Sequence, residues 1–322
     1  MHSNRIKTAI TAIIIAVSVI CIGVIFVVLW AGIRRKQREN SSVRVYAEIS
    51  EYSKQQDKDG LITETPDPYF IEKQKGYRYR RPDTITYHSE ATDTTRHAMV
   101  FLPADYSAEK QYPVLYLLHG YGGSHKTWRN KKADIILQNL YYFEDVPEMI
   151  VVCQNCNVNQ QENVDDLGME DSTAAFDGSA EDLVTSLMPY IEAHYPVKTG
   201  AENTAIAGNS MGGRNAIYAA YTYPDRFGYV GAFSSGPVVE AANGSDWMPC
   251  LMQELPTDAK PFNLLMIVTG KTDEICGKSS YQLDDYMNKL GIEHIFYDTT
   301  GGHQTVVWQN ALYNFAKKLF IE

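Results

Sequence analysis

Positive charge is scarce in this 322-residue chain: Lys and Arg number 29 against 39 Asp and Glu, and six of the 29 lie before residue 40. From Asn40 onward 23 basic residues stand against 38 acidic ones, with no cluster of Lys and Arg among them. A polyanionic partner needs such a cluster, so the composition argues against nucleic acid. Cysteine is scarce too. Of five, Cys21 lies in an apolar run, which leaves Cys153, Cys156, Cys250 and Cys276 and three possible pairings. Cys153 and Cys156 form a lone C-x-x-C without the second pair of a zinc site or the context of a redox motif. They are expected to be small buried or loop cysteines, with a structural disulfide as the alternative. Internal repeats and low-complexity tracts are also missing.

What the chain does have, at its start, is an uncharged run, TAITAIIIAVSVICIGVIFVVLWAGI, over residues 8–33. As a helix it would extend about 39 Å at about 1.5 Å per residue, enough to cross a bilayer. A cleavable signal peptide has an apolar core of about 7 to 15 residues followed by small residues at the cut, and neither is present. The sequence therefore predicts a short tail (1–7) and a single transmembrane anchor (8–33). A polar, poorly periodic stalk (34–81) and a folded domain (82–322) would follow.

From Pro82 on, apolar stretches of strand length alternate with amphipathic helical ones. TITYH and HAMVFLP read as an opening antiparallel pair; VLYLLHG, EMIVVCQN, NTAIAGN, YVGAFSS, FNLLMIVTG and HIFYDT are apolar throughout, as strands buried on both faces are. Leu183, Leu187, Ile191 and Tyr195, and later Trp308, Leu312, Phe315 and Leu319, mark helical faces. Strand and helix in alternation predict an α/β fold with a mostly parallel central sheet and helices on both faces. In such sheets chemistry gathers at the carboxyl ends of the strands.

One junction between strand and helix is unusual. Gly208-Asn209-Ser210-Met211-Gly212 fits G-x-S-x-G, a nucleophile elbow in which glycines clear a turn too tight for side chains and lift the serine to the sheet edge. A serine hydroxyl is a weak nucleophile and needs a base, itself oriented by an acid, in the chain order Ser, acid, His. His303, in DTTGGHQTVVW after the last strand, is the candidate base; His294 at a strand start and His194 at a helix end are worse placed. Asp273, at the end of FNLLMIVTGKT, is the candidate acid, with Asp298, Asp284 and Asp285 as rivals. Stabilising a developing oxyanion takes two donors. The backbone N–H of Met211 is one. The loop His119-Gly120-Tyr121-Gly122-Gly123 offers the other through the N–H of Tyr121, with Gly120 among its loop glycines. Nothing in this chemistry calls for a metal or an organic cofactor.

FLPADYSAEKQYPVLYLLHGYGG, GNSMGG, YPDRFGYVGAFSSG, TGKTD and GGHQTVVWQNALYNFAKKLF, in that order, resemble the putative-esterase group of the α/β hydrolases. That group includes the feruloyl and acetylxylan esterases of carbohydrate esterase family 1, esterase D and the mycolyltransferases. The resemblance spans about Pro82 to Phe320 and implies an α/β-hydrolase fold, a triad of Ser210, Asp273 and His303, and oxyanion amides at Tyr121 and Met211. It implies a serine esterase working through an acyl-enzyme on an ester substrate, with feruloyl or acetyl esters of plant polysaccharide foremost. Acyl transfer of the mycolyltransferase type and a non-catalytic binding module are the alternatives. It does not extend to the anchor or stalk, and NVNQQENVDDLGMEDSTAAFDGSAEDL falls where such enzymes vary. Orientation in the membrane is contested by two arguments. Arg34, Arg35, Lys36 and Arg38 outnumber Arg5 and Lys7, which favours a cytoplasmic domain, whereas polysaccharide substrates place the domain outside the cell. The expectation is outward.

Overall fold

The computed structural model describes residues 68–165, 167–242, 248–256 and 260–321. The expected tail, the anchor and the stalk as far as residue 67 lie outside the described residues, among which no helix is long and apolar enough to cross a membrane.

An eight-stranded sheet organises the body: β1 (Asp83–Ser89), β2 (Thr94–Phe101), β3 (Val114–Leu118), β4 (Ile150–Gln154), β5 (Thr204–Asn209), β6 (Tyr229–Phe233), β7 (Leu264–Gly270) and β8 (Ile295–Thr299). Their order is β1-β2-β4-β3-β5-β6-β7-β8. β1 and β2 form the antiparallel opening pair, β2 runs antiparallel to β4, and the strands from β4 across to β8 are parallel. Every residue of β3 to β7 is buried, which is why these strands read as continuous apolar runs rather than alternating ones.

Alternate residues of the strands feed two cores. Val114, Tyr116, Ile150, Val152, Ile206, Val230, Leu265 and Ile267 join Leu183, Leu187, Ile191, Ile217, Leu283 and Met287 in one cluster. Its helices are the stretch Ser179–Asp182, Leu183–Leu187 and Met188–His194, then Met211–Thr222 and Gly277–Leu290. On the opposite face Phe233 meets Trp128 and Phe315 edge-on, with ring centroids 6.2 and 5.9 Å apart, under the helices α1 (Ala133–Phe143) and α2 (Thr305–Ala316). Of the expected face at spacing four, Leu183, Leu187 and Ile191 are fully buried, and removing any one to Ala should cost about 2–5 kcal/mol, while Tyr195 follows the helix in extended backbone. Within that stretch Leu183–Leu187 winds as a π turn.

The last part of the expected stalk is corrected by the structure. Pro68–Ile71 forms a single helical turn and Phe70, fully buried, packs edge-on against Tyr313 at 4.6 Å. The Asn139 amide donates to the carbonyls of Tyr69, Phe70 and Glu72 at 2.9–3.0 Å, and Gln138 Oε1 accepts the Arg80 N–H at 2.7 Å. These residues look like linker because few are apolar; one phenyl ring and borrowed hydrogen bonds hold them.

A buried cation organises the loop after β4. Arg96, fully buried on β2, lies 3.5 Å from Asp182 and donates to the carbonyls of Asn155, Asn157 and Asn159 at 2.6, 2.9 and 3.1 Å. Asp182 also accepts from the Tyr87 hydroxyl at 2.6 Å and from Gln154 at 3.0 Å. Removing one partner of such a pair would strand the other, a loss of about 3–5 kcal/mol. All four described cysteines are free thiols, and Cys153 and Cys156 are buried, as the first of the two expectations for that pair has it.

Candidate active site

Ser210 lies between β5 and the helix Met211–Thr222 with φ 57° and ψ −123°, a conformation rarely taken by a residue with a side chain. Contacts on either side enforce it. A Cβ on Gly208 would come within 2.4 Å of the Gly212 backbone, and one on Gly212 within 2.5 Å of the Leu118 and His119 carbonyl oxygens. No branched side chain fits either place. The Ser210 N–H donates to the Phe233 carbonyl at 2.8 Å, tying the turn to β6.

Two further loops at the carboxyl edge bring the partners. His303, between β8 and α2, places Nε2 3.0 Å from Ser210 Oγ and Nδ1 3.0 Å from Asp273 Oδ2. A carboxylate only accepts, so Nδ1 carries the proton and Nε2 is free to accept from the serine hydroxyl. Asp273 follows β7, and its Oδ1 accepts the N–H groups of Ile275 and Cys276 at 3.0 and 2.8 Å. Burial pushes this carboxyl up, but the hydrogen bonds from His303 and Cys276 outweigh it and hold the group below the ordinary carboxylate range. Trp308 meets the His303 ring edge-on at 5.2 Å.

The rivals are engaged elsewhere. Asp298 accepts from the Tyr281 hydroxyl at 2.7 Å, Asp284 bonds to His294 at 2.8 Å, Asp285 is exposed, and His194 bonds back to the Tyr190 carbonyl within its own helix.

These groups open onto a cleft of about 460 Å³ whose walls include Gly120, Tyr121, Ser210, Met211, His303 and Trp308. The two residues expected to supply oxyanion amides thus flank the serine. A Cβ on Gly120 would fall 3.0 Å from that of Ser210, so the loop approaches the serine closely because this residue is glycine.

Sequence reasoning missed what holds that loop. His119 is fully buried; its Nδ1 donates to the Gly120 carbonyl at 2.7 Å and its Nε2 accepts the Cys156 N–H at 2.9 Å. Burial lowers its pKa to about 4, so the ring stays neutral and keeps one donor and one acceptor. The loop of Tyr121 is thereby fastened to the end of β4. Trp308, expected only as part of a helical face, lines the cleft. Lys131 is a third omission, a nearly buried cation on the cleft wall. Among the described residues no three His, Cys, Asp or Glu side chains converge to hold a metal ion. The arrangement can deprotonate the serine as it attacks a carbonyl carbon and can neutralise the imidazolium that results.

Comparison with known proteins places the chain among esterases. The Putative esterase family matches residues 89–319. The solved structure of a CE1 ferulic acid esterase from the anaerobic fungus Anaeromyces mucronatus, in complex with ferulic acid, is 30% identical with a TM-score of 0.71, over 79% of this chain and 96% of that one. An endo-1,4-beta-xylanase/feruloyl esterase of Xylanibacter ruminicola is 29% identical over 185 residues, 55% of this chain and 24% of its own length. The iron(III) enterobactin esterase of Escherichia coli is 23% identical over 243 residues, 71% of this chain and 54% of that protein. The chain thus spans about a quarter to a half of the length of these curated relatives.

Proposed function

The chain belongs to the Putative esterase family, and from that membership we propose that it is a serine carboxylic-ester hydrolase acting on feruloyl or acetyl esters of plant polysaccharide. The observation that carries this reading is the unbroken relay from Ser210 through His303 to Asp273, opening on a cleft. Ser210 Oγ attacks the ester carbonyl while His303 Nε2 takes its proton, and Asp273 steadies the imidazolium. The carbonyl oxygen, now negative, is received by the N–H groups of Tyr121 and Met211 at the start of a helix, where backbone donors and dipole favour anions. His303 returns the proton to the departing alcohol, leaving an acyl group on Ser210, and then activates a water that releases the acid.

The similarity to a structure holding ferulic acid supports the feruloyl choice. The uncharged run at 8–33 supports a single-pass anchor, and the polysaccharide substrate, against the flanking charges, favours a domain on the outer face; residues 34–67 would be the spacer. The full-length chain, purified in detergent, should hydrolyse feruloyl and acetyl esters faster than long-chain acyl esters, with a burst of alcohol equal to the enzyme present. Release of alcohol only when a second alcohol is supplied would favour acyl transfer instead. Protease added to intact cells should remove the activity; protection until lysis would place the domain inside and count against the polysaccharide substrate.

A further inference from the structure

The cleft wall carries a cation that the relay does not use. Lys131 is 9% exposed, and its Nζ lies over two indole faces, 4.8 Å from the Trp308 centroid and 5.5 Å from that of Trp128. Its backbone is fixed, since its carbonyl accepts from Gln309 on α2 at 2.9 Å. Indole faces attract a cation but offer its three N–H groups no lone pair of the usual kind, and among the described residues no carboxylate pairs with it. Burial lowers its pKa to about 8, as expected of an ammonium lacking an anionic partner. Beside it the Trp308 Nε1–H is buried without an acceptor. Tyr121 and Ile275, 46% and 57% exposed, give the cleft an apolar rim, and Met248 adds to its lining. The cleft therefore combines apolar surface suited to a flat ring with an ammonium that lacks an anionic partner.

We propose that Lys131 determines acyl specificity by donating a hydrogen bond to an oxygen substituent on the ring of a cinnamoyl-type acyl group. This rests on the ester-hydrolase reading and narrows its substrate. An unsubstituted ring would leave the ammonium without a lone pair once water is expelled. A hydroxyl or methoxyl oxygen supplies one.

The test compares kcat/KM for methyl ferulate, methyl dimethoxycinnamate and methyl cinnamate. The wild-type protein should prefer the oxygenated esters by about tenfold to a hundredfold, the range for a hydrogen bond to a charged group. Lys131→Met, which keeps the apolar stem, should bring that ratio to within about threefold of unity, while Lys131→Arg should keep most of it. A wild-type ratio near one overturns the proposal without any variant, so it stays falsifiable if Lys131→Met does not fold. A ratio that survives Lys131→Met overturns it as well. Turnover of acetyl esters with none of any cinnamate would sink the feruloyl substrate together with the proposal. Turnover of all three cinnamates without discrimination would sink the proposal alone.

Discussion

The two edges of the central sheet make an instructive pair. At the amino edge, where the chain enters β5, β6 and β7, Gly200, Glu202, Asp225, Phe227 and Lys260 line a hollow of about 400 Å³, nearly as large as the cleft of about 460 Å³ at the carboxyl edge. Its lysine is already paired: Lys260 Nζ sits 2.9 Å from Asp225 Oδ1, and both side chains are about four-fifths exposed. Among the described residues lining it there is no side-chain hydroxyl for a base to hold. At the carboxyl edge Ser210 is held in a rare backbone conformation, its base is aligned by a buried carboxylate, and an ammonium on the wall has two indole faces for neighbours in place of an anion. Volume alone therefore does not distinguish a site from a dent. Groups held at a cost, with bonds left to make, do.

The comparison is broken most directly at the serine. Ser210→Ala should lower kcat on a feruloyl ester by about 10⁵ to 10⁶ while the circular dichroism spectrum stays native, and His303→Ala should do nearly as much because the two act as a unit. Turnover within tenfold of wild type in either variant would remove the carboxyl edge from consideration. Next, Asp273→Asn should cost on the order of 10⁴ in kcat by reversing the imidazole tautomer, whereas Asp298→Asn should cost less than about tenfold. If the order is inverted, the acid is Asp298.

Packing at the elbow gives a third test. Gly212→Val should destabilise the fold by more than about 3 kcal/mol in urea titration or prevent folding, because two backbone carbonyls occupy the space and neither is a flexible side chain. A soluble, fully active Gly212→Val protein would contradict the elbow. A smaller effect is the acid response of Asp273. Its pKa in the fold is below the unfolded value of about 3.9, so its ionised form stabilises the fold above that pH and the contribution is lost as pH falls toward the lower folded value. Below about pH 4 the wild-type protein should lose stability more steeply than Asp273→Asn. Parallel acid melts would argue that the carboxylate is not held as described. The smallest effect belongs to the amino edge: Lys260→Ala should change kcat/KM less than twofold and stability by under about 0.5 kcal/mol, as expected of an exposed ion pair. A large loss of activity there would erase the contrast.

Legibility in the sequence followed how local each feature is. The elbow is set by glycines two residues to either side of Ser210, so five letters suffice to find it. Asp273 and His303 were legible because strand ends are, and parallel strands deliver their carboxyl ends to one edge. His119 was not: its partner Cys156 lies 37 residues away, and nothing near His119 announces the bond. Lys131 is tied to Gln309 across 178 residues, and its burial depends on two tryptophans that meet only in the fold. Phe70 sits in a polar stretch whose only clue is that one ring. Trp308 kept the helical spacing of a core residue yet faces the cleft, since spacing gives the face of a helix and not what the face meets.

The loop held by Arg96 bears on how such a chain can change length over evolutionary time. Three carbonyls two residues apart, at Asn155, Asn157 and Asn159, converge on one guanidinium. Inserting or deleting a single residue between 155 and 159 would shift at least one of them out of register and leave buried donors unpaired. The tie runs on to Glu162, whose carbonyl accepts from Asn155 at 3.0 Å and whose carboxylate accepts the His97 N–H of β2 at 2.7 Å, and past it these constraints end. The spacing from Asn155 to Glu162 should stay fixed while the surface chain after it lengthens or shortens, so that new segments are added without disturbing the strand and loop that help to hold the site.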